Sequence, residues 1–115
     1  MITRYEELNK VENQNMKGGD GVVKVTHFTD KEGLYNKGRM FAKVVLEPGC
    51  SIGNHDHQNE EEIYVITKGV AEYDDNGVIT TLKEGDVSFC KHGEYHKISN
   101  RSNDTVEFVA LILDK

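Results

Sequence analysis

From residue 22 onward the chain alternates short β-branched and aromatic runs with clusters of Gly, Asn and Asp. Residues 22–28 (VVKVTHF) and 39–46 (RMFAKVVL) are two such runs, separated by Asp30, Gly33, Asn36 and Gly38 and ended by Pro48-Gly49. Residues 63–67 and 70–74 follow, joined at Lys68-Gly69. Asn76-Gly77 then stands between Tyr73-Asp74-Asp75 and Val78-Ile79-Thr80. Both central residues of a type I′ turn need positive φ, which Asn and Gly tolerate, so a tight hairpin is expected there. The turn at 83–86 precedes a run at 87–89, and runs at 96–99 and 105–113 flank a polar stretch at 100–104. Short strands with turns at roughly 8–12-residue spacing predict an all-β sandwich or barrel.

Before residue 22 the pattern differs. Residues 3–12 (TRYEELNKVE) predict a short helix, with Thr3 as N-cap and Glu6 as its capping-box partner. Its apolar stripe, Tyr5, Leu8 and Val11, is thin. Gly18-Gly19-Asp20-Gly21 reads as a flexible loop closing this segment. There is no repeat or low-complexity tract, and with a single proline no linker divides the 115 residues, so one domain is expected.

Composition sharpens this picture. Val plus Ile outnumber Leu 19 to 6, which favours strands over helices. A formal charge of −6 with no basic run argues against binding a phosphate backbone. No apolar stretch is long enough to span a bilayer, and the N-terminus lacks the hydrophobic core of a signal peptide. A soluble cytoplasmic protein with no nucleic-acid or membrane partner is the expectation. Two cysteines, Cys50 and Cys90, outside any C-x-x-C pair read as reduced, partly buried thiols.

The candidate chemistry lies in four residues. His55 and His57 are two apart, so on a strand both point to one face. Glu62 leads into the run at 63–66 and shares a face with Tyr64 and Ile66. His96 opens a later run. Three imidazoles and one carboxylate are a mixed N/O donor set suited to a divalent transition metal.

The spacing around these residues resembles the cupin superfamily. Its first motif, G-x5-H-x-H-x3,4-E-x6-G, is met by Gly49, His55, His57, Glu62 and Gly69. Its second, G-x5-P-x-G-x2-H-x3-N, is met by Gly85, Gly93, His96 and Asn100, with Lys91 in the proline position. Losing the proline is expected to free the loop before His96 and to put a cation near the barrel mouth. The resemblance implies a double-sheet jelly-roll barrel over residues 22–115, preceded by an N-terminal extension of residues 1–21. It also implies one divalent metal per chain on His55, His57, Glu62 and His96. Mn or Fe is favoured; Ni, Co and Zn accept the same donors.

Within the group of small bacterial cupins similar to oxalate decarboxylases and mannose-6-phosphate isomerases, the resemblance implies a metalloenzyme. It would act on a small oxo- or hydroxy-acid or a sugar derivative, by decarboxylation, dioxygenation or isomerisation. The alternative is a metal-dependent binding or sensing protein without turnover. Tyr64, facing the interior, and His92 and Glu94, in the loop before His96, are the candidate catalytic groups. Arg39, Lys43 and Lys91 are the candidate cations for a bound anion. Exposed sheet edges and the segment before residue 22 suggest a homodimer.

Overall fold

The computed structural model describes residues 1–115. Ten strands form it: β1 (Asn9–Gln14), β2 (Val22–His27), β3 (Gly38–Leu46), β4 (Ser51–Asp56), β5 (Glu60–Lys68), β6 (Ala71–Asp75), β7 (Val78–Leu82), β8 (Val87–Cys90), β9 (Tyr95–Ser99) and β10 (Val106–Asp114). They pair antiparallel in a six-stranded sheet, ordered β1-β2-β3-β10-β5-β8, and a four-stranded sheet, ordered β4-β9-β6-β7. This is the all-β, two-sheet fold that the strand pattern predicts, and the jelly roll that the cupin resemblance implies.

Alternation explains why the two sheets stack. Along β3 and β10 every second residue is buried, because successive side chains of a strand point to opposite faces. Val44 and Leu46 of β3, Phe108, Ala110 and Ile112 of β10, and Tyr64 and Ile66 of β5 meet Ile52, Tyr73 and Ile98 from the opposing sheet in one core. Strand register then sets rows across the inner face. Ala42, Ala110 and Tyr64 form one row, and Met40, Ile112 and Glu62 the next. A carboxylate is therefore built into an apolar row.

The Asn76-Gly77 hairpin forms as expected, with φ of 51° and 93° at the two central residues. Asn100 closes the barrel end. Its buried side-chain amide donates to the Leu46 and Asp104 carbonyls at 2.8 and 2.7 Å, and its Oδ1 accepts from the Ser102 backbone N–H and hydroxyl.

The predicted helix over residues 3–12 is not there. Only Tyr5–Glu7 makes a 3-10 turn, and Asn9–Gln14 runs antiparallel to β2 as an added strand. A thin apolar stripe cannot hold a helix alone, whereas the open edge of β2 offers a full row of hydrogen-bond partners. The glycine-rich stretch is also not slack. Gly19 is buried, the Ser51 N–H donates to the Asp20 carbonyl at 2.8 Å, and the Asp20 N–H donates to Ser51 Oγ at 2.9 Å. A second 3-10 turn, Met16–Gly18, is thereby held against β4. No helix is long and apolar enough to cross a membrane.

Candidate metal centre

β4 and β9 are paired so that His55 lies directly opposite His96. His57 follows the end of β4, and Glu62 comes from β5 in the facing sheet. The four side chains thus meet between the sheets. His57, His96 and Glu62 retain 2%, 1% and 5% of their side-chain exposure, and His55 keeps 11%. Their donor atoms all lie within 4.8 Å of one another.

The ring orientations are specific. Glu62 Oε1 is 3.0 Å from His57 Nε2, 3.0 Å from His96 Nε2 and 3.4 Å from His55 Nε2. The imidazoles also approach each other through Nε2, His96 to His55 at 3.0 Å and His57 to His96 at 3.3 Å. Each Nδ1 is engaged outward. His55 Nδ1–H donates to the Gly53 carbonyl at 2.8 Å, and His57 Nδ1–H donates to Glu60 Oε1 at 2.9 Å. His96 Nδ1 meets the Tyr73 hydroxyl at 2.6 Å. A carbonyl and a carboxylate can only accept, so the Nδ1 of His55 and of His57 must carry its proton. In the neutral rings the lone pairs on Nε2 then face one another and the carboxylate.

Lone pairs gathered this closely need a positive charge among them. Adjacent ligand atoms around a metal at about 2.1 Å sit roughly 3.0–3.4 Å apart, the spacing found here. The donor set therefore fits a divalent ion, with each histidine held by an outward hydrogen bond as metal-bound histidines usually are. Protonation preferences at Glu62 and His96 point the same way. Burial alone would raise the Glu62 carboxyl, but the three imidazoles beside it hold it well below the usual carboxylate range. Burial lowers the His96 ring, favouring its neutral form. For His57 burial also pulls down, yet hydrogen bonds to Glu62 and Glu60 outweigh it and raise the ring.

Glu60 links this centre to the barrel mouth. Its carboxylate takes Arg39 Nε at 2.8 Å and Nη2 at 2.7 Å in addition to His57, and the arginine holds it down at about 2. Neither Glu60 nor Tyr73 emerges from the sequence reading. Glu60 carries a faint signal, since alternation puts it on the face of Glu62. Tyr73 carries none, because its partner is decided by the pairing of β6 with β9.

Beside the centre is a narrow cavity of about 40 Å³, lined by His55, His57, Glu62 and Tyr64, by apolar side chains including Met40, Val44 and Ile112, and by Lys17 and Arg39. Tyr64 stacks on His96, with ring centroids 4.9 Å apart. Burial, and then the neighbouring Glu62, raise its phenol well above the usual value, so it stays protonated. His92 and Glu94 do not line the cavity. His92 Nδ1 accepts the Asn59 N–H at 2.8 Å, and Glu94 accepts the Lys91 N–H at 2.9 Å and the Asn76 amide at 3.3 Å. Lys91 in the proline position thus has a use: it supplies a backbone N–H that proline lacks, and the loop is tied rather than freed. Its side chain is not among the cavity walls, and Lys43 stands on the outer face over Tyr5. Of the three expected cations only Arg39 reaches the cavity. Cys50 and Cys90 are unpaired, and burial pushes the Cys90 thiol up to about 12.

A two-sheet jelly roll with three histidines and a glutamate converging between the sheets defines a class of β-barrel whose interior residues could hold a metal ion. The cupin-domain family model matches residues 42–112, and the chain belongs to the cupin family. An oxalate-binding protein of Thermotoga maritima is 42% identical over 113 residues, spanning 98% of this chain and 93% of that protein. The crystal structure of a predicted oxalate decarboxylase from Thermotoga maritima superimposes with a TM-score of 0.95 at 42% identity, all of each chain being covered. KdgF from Halomonas sp. shares the fold at a TM-score of 0.75 and 14% identity, covering 100% of this chain and 96% of its own.

Proposed function

We propose that this cupin is metal-dependent, with His55, His57, Glu62 and His96 as ligands of one divalent ion, Mn or Fe by preference, and that it acts on a small oxo- or hydroxy-acid. The observation carrying this reading is the convergence of three Nε2 atoms and one carboxylate oxygen beside a cavity with room for only a few heavy atoms. That size favours a short acid over a sugar derivative, and the 42% identical relative is an oxalate-binding protein. An ion held there supplies Lewis acidity and, if Mn or Fe, redox capacity toward O₂.

The chain's own residues then have definite tasks. Glu60, Tyr73 and the Gly53 carbonyl fix the histidine rings. The apolar walls keep bulk water from the ligand. Tyr64, protonated and beside Glu62, is the one candidate proton donor among the cavity walls; His92 and Glu94 are proposed as supports of the loop that delivers His96. Decarboxylation or dioxygenation is the proposed reaction type. Binding without turnover is the second reading, favoured because Tyr64 is the sole uncharged hydroxyl donor lining the cavity and its proton is held tightly.

The test is incubation of Mn²⁺- or Fe²⁺-loaded protein with oxalate and related acids under air, following CO₂ release and substrate loss. Turnover that disappears in Glu62→Ala supports the enzyme. Saturable binding with no product under any of these metals supports the binding protein.

The reading also includes a homodimer in the cytoplasm. For the compartment the support is the two unpaired cysteines. For the dimer it is the outer face of the six-stranded sheet. Register lines Phe41, Leu111, Ile63 and Phe89 in one row across four strands, and Val109, Val65 and Val87 in the next. Phe41, Val87 and Phe89 are 37%, 45% and 51% exposed. Apart from Lys43, which pairs with Val109 at one end of the second row, these two rows are apolar and call for a partner.

A further inference from the structure

We infer that the cavity selects a dianion of about oxalate's size, and that Lys17 and Arg39 are the residues that recognise the second negative charge. This deepens the metal-dependent reading and rests on it. Apart from the four-residue cluster, Lys17 and Arg39 are the only charged residues among the cavity walls. A ligand oxygen turned away from the ion therefore meets Tyr64, these two cations or hydrocarbon. A monoanion held on the ion brings no further charge to this wall, whereas a short dianion presents a second carboxylate to Lys17 and to the Arg39 N–H groups that Glu60 does not use.

The two residues are available in different ways. Arg39 spends two of its five N–H donors on Glu60, through Nε and Nη2, and keeps the others. Lys17 has no ion pair or side-chain hydrogen bond of its own. Its position is the more telling. Lys17 sits at φ 55° and ψ 30°, two residues after Asn15 at φ 53°, a left-handed backbone that non-glycine residues seldom adopt. Such an outlier persists only where its surroundings enforce it.

The enforcement is visible. Gly53 lies under the Lys17 carbonyl and Gly19 under the Ser51 carbonyl, so closely that a Cβ at either glycine would collide. The Asn15 N–H donates to the Gly21 carbonyl at 2.9 Å, and two hydrogen bonds join Asp20 to Ser51. Met16 packs on the core beside it. The N-terminal segment is thus a strap pinned across β4, and it holds a lysine at the cavity next to the metal cluster.

The experiment is titration calorimetry of the full Mn²⁺-loaded chain with oxalate, and with glycolate as a monoanion of similar size. Lys17→Met is expected to weaken oxalate at least tenfold and glycolate less than threefold with metal content unchanged. Arg39→Gln, which also releases Glu60 from its ion pair, is expected to do the same when both acids are titrated at equal, measured metal loading. Lys17→Arg is expected to restore most of the oxalate affinity, which separates lost charge from a disturbed strap. Oxalate affinity within twofold of wild type in both variants would overturn the inference while leaving the metal-dependent reading intact. Equal losses for oxalate and glycolate would overturn it too. Wild-type protein that binds neither acid when loaded with metal defeats the functional reading itself, and the inference with it.

Discussion

Tyr73 Oη lies 2.6 Å from His96 Nδ1, and the two side chains come from adjacent strands of the four-stranded sheet, where Tyr73 pairs with Ile98. The hydroxyl therefore fixes which way the buried His96 ring faces, and with it the direction of Nε2. Burial raises the Tyr73 phenol further above its usual value, so it remains a neutral hydroxyl throughout the ordinary pH range.

Tyr73→Phe removes that one contact and little volume. Metal affinity is expected to fall roughly 10–100-fold, the usual cost of losing such a support, while the fold is retained. Competition with a chelator of known affinity, backed by circular dichroism, measures both. Affinity within threefold of wild type would show that Tyr73 does not orient His96.

Metal binding should weaken as pH drops. A bound ion and a proton compete for the same Nε2 lone pair, so ligand protonation opposes binding. Burial pulls the His57 ring down, but hydrogen bonds to Glu62 and Glu60 outweigh it and raise the ring, so its competition sets in at higher pH than for an ordinary imidazole. His96 is lowered and joins at more acid pH. Retention of Mn²⁺ in dialysed protein is expected to be full at about pH 8 and to fall steeply between roughly pH 7 and 5. In His96→Ala affinity should be at least tenfold lower at pH 8. Equal retention at pH 8 and pH 5 would count against histidine ligation.

Asn100→Ala should destabilise the metal-free protein by about 2–4 kcal/mol, because it leaves the buried Leu46 carbonyl and its neighbours without partners. Urea unfolding followed by tyrosine fluorescence gives the difference. A loss below about 0.5 kcal/mol would mean that the turn after β9 closes without this amide.

The wild-type chain is expected to sediment at twice its 13.0 kDa mass. Phe41 and Phe89 stand in one exposed apolar row, so Phe41→Lys with Phe89→Lys places charges where the two sheets would meet. That pair should shift the protein to monomer without unfolding it. A wild-type mass of 13.0 kDa at micromolar concentration removes the dimer.

Much of the molecule was legible along the chain because the signals were local. The Asn76-Gly77 turn depends on two residues' tolerance of positive φ. His55 and His57, two apart, reach one metal-ligand cluster as that spacing suggests, although β4 ends at Asp56 and His57 lies just past it. Gly49, Gly69, Gly85 and Gly93 all adopt positive φ, in keeping with the motif positions they occupy. Alternation likewise put Glu62, Tyr64 and Ile66 on one buried face.

What the sequence alone could not decide was which strands would be neighbours. The capping-box pattern at Thr3 and Glu6 is as local as the hairpin, yet the backbone of residues 9–14 found a better partner in the edge of β2 than in itself. Tyr73 supports His96 only because β6 lies beside β9, and Glu60 reaches Arg39 only because the ends of β3 and β5 flank β10. Lys17 became a wall of the cavity because two glycines, Gly19 and Gly53, let the strap settle on β4. All of these contacts but the first join residues more than 20 positions apart, and such pairs are set by the stacking of two sheets around a common core. A one-dimensional pattern specifies the face on which a side chain lies; which side chain it meets there is a property of the packed barrel.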